Sequence, residues 1–308
     1  MIAPNISTRQ LRDTRVNGLP RLTLSSSDSH FIMISKQVAS GRFGDTYQGV
    51  HVPTQLKLAM RCSRTLAERA TQAQRFEGEL KIRSSSNHVN VMPFYGVVWI
   101  FSTAYLVTPW VEHGDPSRFI SAHLEYLAQP PNIQQSLSDQ TRAAFSAFDE
   151  IATSRVHGIA SGLAYLHASG VIHGDIKAAN ILLTDALTPL LGGFTFAKSE
   201  EIDNTFSGLK VIGSARWKSP ELIDNEQSQT IKTDIYALGM TIVEVLTGQE
   251  PFPRLRVRCK VYKTVSEGHR PPFEPLSRNG KDVTPLWELA ACCWGAEPEC
   301  RPTAAEIV

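Results

Sequence analysis

The segment His173-Gly174-Asp175-Ile176-Lys177-Ala178-Ala179-Asn180 is the most informative stretch of this 308-residue chain. Asp175 can orient a hydroxyl group, Lys177 adds a positive charge two residues later, and Asn180 offers an amide oxygen that can bind a metal ion. An apolar triplet at residues 181–183 follows at once and predicts a short buried strand. This segment is therefore the first candidate for a functional site.

Helical patterns lie on both sides of this loop. Before it, apolar residues recur at helical spacing and predict one long helix, which is marked by Ile151, Ile159, Leu163 and Leu166. After it, a second helix is predicted from Ile235 to Leu246, with Asp234 as its cap and Gly248 as its end. Because the second helix is apolar almost all round, we expect it to lie in the middle of its lobe.

The N-terminal third of the chain has the pattern of strands. Alternating side chains over residues 56–61 predict a strand with one apolar face. That face carries Leu56, Leu58 and Met60, and the opposite face carries Lys57, Ala59 and Arg61. Further strands are predicted at 94–101 and 105–110, with a helix over 66–80 before them. The expected fold class is therefore α+β, with a small strand-rich lobe followed by a larger helical one.

A glycine pair precedes these strands. Gly41 and Gly44 are three residues apart between predicted strands, so the backbone there can approach a phosphate closely. The same pair also suits an ordinary hairpin, and the sequence alone leaves both readings open.

Composition excludes several classes of protein. Hydrophobic residues make up 42% of the chain and charged residues 20%, and the formal net charge is +1. This balance argues against nucleic acid or membrane as the partner, and no apolar run reaches the roughly 20 residues that span a bilayer. The five cysteines form no C-x-x-C pair, which indicates free thiols in a reducing compartment. We expect a cytoplasmic or otherwise intracellular protein.

Taken together, about nine-tenths of the chain, from Phe31 to Val308, resembles a protein kinase domain. It is most similar to the tyrosine-kinase-like serine/threonine group. The loop at 173–180 resembles the catalytic loop, which implies catalytic positions at Asp175, Lys177 and Asn180. Other landmarks follow in the family's order: Glu79 of helix αC, His88-Val89-Asn90-Val91, Thr108 as gatekeeper, Ser219-Pro220-Glu221, Asp234, Cys293-Trp294 and Arg301-Pro302.

The resemblance implies a two-lobed fold with definite boundaries. Residues 1–29 are expected to form a flexible leader and 30–308 the kinase-like domain. Within it, the N-lobe with helix αC covers about 30–108, the hinge about 109–114, and the C-lobe about 115–308, with its last helix cut short. Glu221 and Arg301 are expected to pair. Residues 120–150 are longer than the family needs, and a partner surface and a solvated insertion both remain open.

The resemblance also implies a nucleotide site. Its residues are Gly41, Gly44, Ala59, Arg61, Glu79, Thr108 and Trp110. Two positions depart from the family. Arg61 stands where strand β3 should carry the phosphate-binding Lys, and it retains the charge on a bulkier planar group that is still able to pair with Glu79. Gly193 stands where D-F-G should have its metal-binding Asp, so Asn180 is the only matched metal ligand.

Lesser departures from the family also indicate an impaired nucleotide site. Ala39 and Thr46 alter the glycine loop, Arg83 replaces an apolar residue packed between the lobes, and Gly174 replaces the Arg of H-R-D. We therefore expect an impaired Mg²⁺ site, and ATP binding that is weak where it occurs at all.

Two functional hypotheses follow. The first is a catalytically impaired pseudokinase that binds other signalling proteins, for instance an active kinase. The alternative is an active ATP-dependent serine/threonine kinase, which the retained Asp175, Lys177 and Asn180 favour. The sequence does not specify the oligomeric state.

Overall fold

The computed structural model describes residues 19, 22–41, 44–63, 69–112, 114, 148–199, 214–224, 228–272, 277–278, 281–282 and 284–308. By their contacts they form two compact units. The sheet unit comprises the described residues before Ala67 together with Pro93–Val111, and the helical unit comprises the rest. The predicted insertion at 120–150 lies outside the described residues except for 148–150, which begin a helix.

The sheet unit is a five-stranded antiparallel sheet with strand order β1-β2-β3-β5-β4. Its strands are β1 (Ile32–Gly41), β2 (Gly44–His51), β3 (Leu56–Ser63), β4 (Gly96–Ile100) and β5 (Thr103–Pro109). Leu58 and Met60 are fully buried while Lys57 is exposed, which confirms the alternation predicted for β3. These β3 side chains form the core of the unit with Val98 and Val107.

The predicted leader ends earlier than residue 29. The Leu24 side chain is buried in the sheet core, its backbone N–H donates to the Tyr95 carbonyl at 2.6 Å, and it forms a parallel bridge to Gly96. A 3₁₀ helix, Ser26–Phe31, then leads into β1. Residues 22–29 therefore belong to the sheet unit, because burying Leu24 anchors this segment along strand β4.

The helical unit contains seven α-helices within the described residues. They are α1 (Arg69–Ser85), α2 (Phe148–Ala168), α3 (Pro220–Asp224), α4 (Ile231–Thr247), α5 (Arg258–Ser266), α6 (Thr284–Cys293) and α7 (Ala304–Ile307). The unit also contains three two-stranded sheets. They pair β6 (Val171–Ile172) with β9 (Lys198–Ser199), β7 (Ile181–Leu183) with β8 (Pro189–Leu191), and β10 (Ser277–Arg278) with β11 (Lys281–Asp282). A five-stranded antiparallel sheet and a helical remainder confirm the predicted α+β class, with a strand-rich unit and a larger helical one.

Helix α4 is the centre of the helical unit, as its apolar pattern predicts. Every residue from Thr233 to Leu246 is buried. The helix ends at Gly248, whose φ of 70° is the left-handed conformation that glycine adopts without strain. Its start differs from the prediction, because the N-cap is Thr230, which accepts from the Thr233 N–H, and Asp234 lies inside the first turn.

Helix α1 belongs by its contacts to the helical unit, although the sequence assigned it to the N-lobe. Its buried Ile82 packs into the core that also holds Phe194 and Val91. The chain passes from the sheet unit to the helical unit after Val111. The hinge at 109–114 stays a prediction.

The structure also tests the predictions made for the cysteines and for membrane-spanning segments. All five cysteines, Cys62, Cys259, Cys292, Cys293 and Cys300, are free thiols, as predicted. Of the helices in the described residues, none is both long and apolar enough to cross a membrane.

Candidate active site

The three predicted catalytic-loop residues lie together between β6 and β7. The Asp175 carboxylate accepts from Lys177 Nζ at 2.9 Å and from Asn180 Nδ2 at 2.7 Å. Asn180 Nδ2 also donates to the Asp175 carbonyl oxygen at 2.7 Å. Lys177 Nζ donates further to Ser214 Oγ at 2.7 Å. Asp175 is thus held by a cation and an amide, and Lys177 ties the loop to the segment that precedes α3.

Asp234 fixes the backbone of this loop. Its two carboxylate oxygens accept from the N–H groups of His173 and Gly174, each at 2.8 Å. His167 Nε2 lies 3.0 Å from the same carboxylate, which is 1% exposed. A buried carboxylate is stabilised by such charge-assisted bonds. The predicted capping role of Asp234 is wrong because its oxygens bind a loop some 60 residues earlier in the chain.

His173 joins the loop to the strand pair β7–β8. Its Nε2 donates to the Gly192 carbonyl at 2.7 Å, and its Nδ1 accepts from the Asp175 N–H at 3.3 Å. This arrangement needs the neutral ring with its proton on Nε2. Complete burial lowers the pKa of His173, against the opposing effect of Asp234, the Gly192 carbonyl and Asp175.

Gly174 stands where H-R-D would carry Arg, and the space beside it is filled. Its φ is +75°, and a Cβ there would lie 2.7 Å from the Gln229 side chain and 2.8 Å from the Phe196 carbonyl oxygen. Gln229 Nε2 donates to the Gly174 carbonyl at 2.8 Å. Gln229 therefore supports the loop from a position that the sequence analysis did not single out.

Gly193 lies directly against Asn180. Gly192 N–H donates to the Asn180 carbonyl at 2.8 Å, and Gly193 then adopts a left-handed conformation with φ +76°. A Cβ at Gly193 would overlap the side-chain amide of Asn180. The amide thus fills the space next to the position at which the family has a carboxylate.

By the resemblance, a metal ion would lie at Asn180 and beside position 193. Mg²⁺ is bound in proteins through carboxylate and phosphate oxygens in octahedral geometry. Position 193 has no side chain, and Asn180 directs its Nδ2, a donor, to Asp175.

Glu79 and Arg83 form a buried ion pair on α1. Arg83 Nη2 and Nε lie 2.8 and 2.9 Å from Glu79 Oε1, and both side chains are almost fully buried. The Arg83 guanidinium lies 5.0 Å from the centre of the Phe194 ring, within the range of a cation–π contact. The cation at position 83 is therefore neutralised by Glu79 and stacked on the residue that follows Gly193.

The other predicted nucleotide-site residues lie in the sheet unit. Gly41 pairs with Gly44 at the end of the β1–β2 hairpin, and Ala59 on β3 pairs with Thr108 on β5. Arg61 lies two residues further along β3, opposite Leu106. Trp110 follows β5 and its N–H donates to the Lys57 carbonyl at 3.1 Å. The sheet brings these positions onto neighbouring strands, and the pairing of Arg61 with Glu79 stays a prediction.

The kinase resemblance is tested by a family comparison. Residues 32–308 match the family described as protein tyrosine and serine/threonine kinase. This chain belongs to that kinase family. Members of the family generally bind ATP and Mg²⁺. In this kinase domain the expected ion pair is present, because Arg301 binds Glu221 through two bonds of 2.6 and 2.9 Å.

Individual relatives carry kinase names. A probable serine/threonine-protein kinase of Dictyostelium discoideum is 26% identical over 275 residues, which cover 89% of this chain and 50% of that protein. Mitogen-activated protein kinase kinase kinase 5 of Arabidopsis thaliana is 25% identical over 283 residues, covering 89% of this chain and 35% of that protein. The dual specificity protein kinase splA of Dictyostelium discoideum is 26% identical over 298 residues, which cover 91% of this chain and 11% of that protein. The chain thus spans half or less of these relatives.

Glu244 is a supporting residue of the kinase domain that the sequence analysis missed. Its carboxylate is buried in α4 and accepts from the Ala178 N–H at 2.9 Å and from Trp217 Nε1 at 3.1 Å. The available signal was an acid within the predicted helix from Ile235 to Leu246, which has no other charged residue, because a buried acid requires partners.

Proposed function

We propose that this kinase domain has lost metal-dependent phosphoryl transfer and acts as a pseudokinase, a protein-binding module in signalling. The observation that carries the proposal is Gly193 packed against the Asn180 amide, in place of the family's metal-binding carboxylate. Phosphoryl transfer depends on positioning and on neutralising charge, so a missing metal ligand removes a large part of the catalysis.

The expected size of the loss supports this choice. Removing one preorganised charge-stabilising group commonly raises the barrier by about 3 to 4 kcal/mol. The chain changes two such positions, since Arg61 replaces Lys and Gly193 replaces Asp. Two additive losses would slow the reaction by roughly four to six decades. The turnover of an ordinary kinase, about 1 to 100 per second, would then fall to a negligible rate.

The retained catalytic-loop residues have a structural use that does not need catalysis. Asn180 bonds both the backbone and the side chain of Asp175, and Lys177 links Asp175 to Ser214. Their presence therefore fits a binding module whose loop keeps a defined shape.

An active serine/threonine kinase is the second candidate. It is favoured by the same trio, since Lys177 and Asn180 hold the carboxylate of Asp175, the residue that would orient a hydroxyl, in one position. In this reading Arg61 would have to supply the charge that the family's Lys gives to the phosphates.

Thermal unfolding with ATP, with and without Mg²⁺ or Mn²⁺, tests the proposal. A ligand present at a hundredfold excess over its Kd stabilises the folded state by about 2.7 kcal/mol. We expect that ATP either leaves the unfolding temperature unchanged or raises it by the same amount with and without metal. A shift that appears only with metal would contradict the proposed loss of the metal site. The single variant Arg61→Lys serves as the comparison, because it restores the family's Lys while leaving position 193 without a metal ligand, so no metal-dependent shift is expected from it.

A further inference from the structure

The two edge strands of the five-stranded sheet, β1 and β4, differ in how they are protected against pairing with another strand. Strand β1 is interrupted by two shifts of register against β2, and it carries the exposed cation Lys36. Bulges and edge lysines are the usual means by which a sheet avoids strand addition. Strand β4 pairs with β5 in one unbroken register, and the sequence has no charged residue over 91–111. The β4 edge is therefore regular and uncharged.

The β4 edge already accepts an extended segment of the chain at its start. Leu24 forms a parallel bridge to Gly96, and its N–H donates to the Tyr95 carbonyl at 2.6 Å. The chain then leaves the edge in the 3₁₀ helix that follows Leu24. Because alternate residues of a strand direct their backbone groups to the same side, Val97 and Trp99 point theirs out of this edge, as Tyr95 does its carbonyl.

Two large aromatic side chains are exposed at the far end of β4. Trp99 is half exposed and Phe101 is completely exposed. Phe101 also has a left-handed backbone, with φ 53°, in the turn that joins β4 to β5. This conformation is unfavourable for a residue with a bulky side chain. Phe101 thus costs the free chain stability through both its backbone and its ring, and a partner that covers the ring would recover the second part.

We propose that a second copy of this chain covers the edge, with the two β4 strands paired antiparallel about a two-fold axis. In this arrangement Val97 of each copy lies opposite Trp99 of the other. Each such pair exchanges two backbone hydrogen bonds, so the outward N–H and C=O groups of both residues are satisfied. The two five-stranded sheets become one continuous sheet of ten strands.

The absence of charge on the edge is what favours a second copy as its partner. A two-fold contact places the same surface patch on both sides, so a charge near the axis would face its own kind. The uncharged stretch 91–111 avoids this repulsion. Leu24 occupies the edge beside Tyr95 and Gly96, so the pairing is limited to residues 97–99 of each copy and has a Phe101 ring at either end.

An interface this short is expected to be weak and reversible. Sedimentation velocity of the full chain over about 1 to 100 μM should show a monomer at the low end and a dimer at the high end. A chain that stays monomeric over this range would overturn the proposal. Species that grow beyond the dimer would also overturn it, because a two-fold contact closes after two copies. This inference does not depend on the proposed loss of phosphoryl transfer.

Hydrogen exchange on the native chain locates the contact without any substitution. The outward amides of Val97 and Trp99 should exchange at least about tenfold more slowly at the concentration that gives the dimer than at the one that gives the monomer. Dimerisation with unchanged exchange over residues 97–99 would overturn the strand pairing, since another surface would then form the contact.

A charged edge should prevent the association. Trp99→Lys/Phe101→Lys is expected to weaken it at least about tenfold, because cations of the two copies would then lie close together at the contact. Met33→Lys/Val52→Lys is the matched control, since Met33 and Val52 are apolar residues of the same sheet unit, 58% and 48% exposed, outside β4. This control should leave the Kd within about twofold. Equal weakening by both double variants would contradict a contact at β4.

Phe101→Gly separates a role in association from a role in folding. Glycine adopts φ 53° without strain, so thermal unfolding should show a variant at least as stable as the native chain. Its dimer should nevertheless dissociate more readily, because the ring at the end of the paired strands is gone. A folded Phe101→Gly chain that associates as tightly as the native one would contradict the role assigned to the ring.

Discussion

The side chain of Asn180 lies against the α-carbon of Gly193, and the space that a Cβ at position 193 would need is already taken. The backbone of Gly193 is also left-handed, with φ +76°. Both features act against any side chain at this position. The local packing of the catalytic loop therefore disfavours a carboxylate at position 193.

Gly193→Ala is expected to destabilise the protein by about 3 kcal/mol, since left-handed backbone costs about 1 to 2 kcal/mol for a residue with a Cβ and the overlap adds to it. Gly170 is the matched control, because its φ is +68° and nothing lies within 4 Å of the Cβ position. Gly170→Ala should therefore cost only the backbone part, about 1 kcal/mol. Denaturant unfolding measures both variants, and equal losses would show that Asn180 does not crowd position 193.

Asp234→Ala is expected to destabilise the protein by about 3 kcal/mol, because the buried N–H of His173 and the part-buried N–H of Gly174 lose their acceptor and His167 loses its partner. Thr230→Ala removes the true N-cap of α4 and should cost about 1 kcal/mol. Urea unfolding of the two variants gives the comparison. A larger loss for Thr230→Ala would mean that Asp234 does not hold the catalytic loop as described.

Arg83 and Glu79 are expected to be energetically coupled. Removing one partner of a buried ion pair commonly costs about 3 to 5 kcal/mol, because the other charge stays buried without it. Arg83→Met should therefore be severe, and Arg83→Met/Glu79→Gln should be milder than the sum of the single changes. A double-mutant cycle by chemical denaturation measures the coupling. Additive losses would be inconsistent with the pair.

His173 makes the stability of the fold depend on pH. Burial holds its folded-state pKa below the ordinary value of 6.5, so below pH 6.5 the unfolded chain binds a proton that the folded chain cannot. The free energy of unfolding should consequently fall as pH drops from 7, by up to about 1.4 kcal/mol per pH unit for this one group. Burial lowers the pKa values of His51 and His88 in the same direction.

His173→Gln is the variant that isolates this contribution. It should be less stable at pH 7 and show a shallower decline between pH 7 and 5 than the native chain. Denaturant unfolding across that range supplies both slopes. Identical slopes would place the pH dependence in other groups.

Local patterns predicted much of this fold, and long-range contacts explain what they missed. The alternation over β3 and the apolar helix α4 follow from side-chain periodicity, and the spacing of Asp175, Lys177 and Asn180 lies within one loop. Leu24 was assigned to a solvated leader because its partners, Tyr95 and Gly96, come some 70 residues later. The true contact of Asp234 was hidden for the same reason, as the sequence shows a residue at a helix start without showing which loop packs there.

Phosphoryl transfer from labelled ATP to a general protein substrate in the presence of Mg²⁺ tests the central claim most directly, with the native chain and Asp175→Ala assayed side by side. A chain without the metal-binding carboxylate should give no transfer above the Asp175→Ala background, and Mn²⁺ in place of Mg²⁺ should not change this. Metal-dependent transfer by the native chain that Asp175→Ala abolishes would contradict the claim and identify an active kinase.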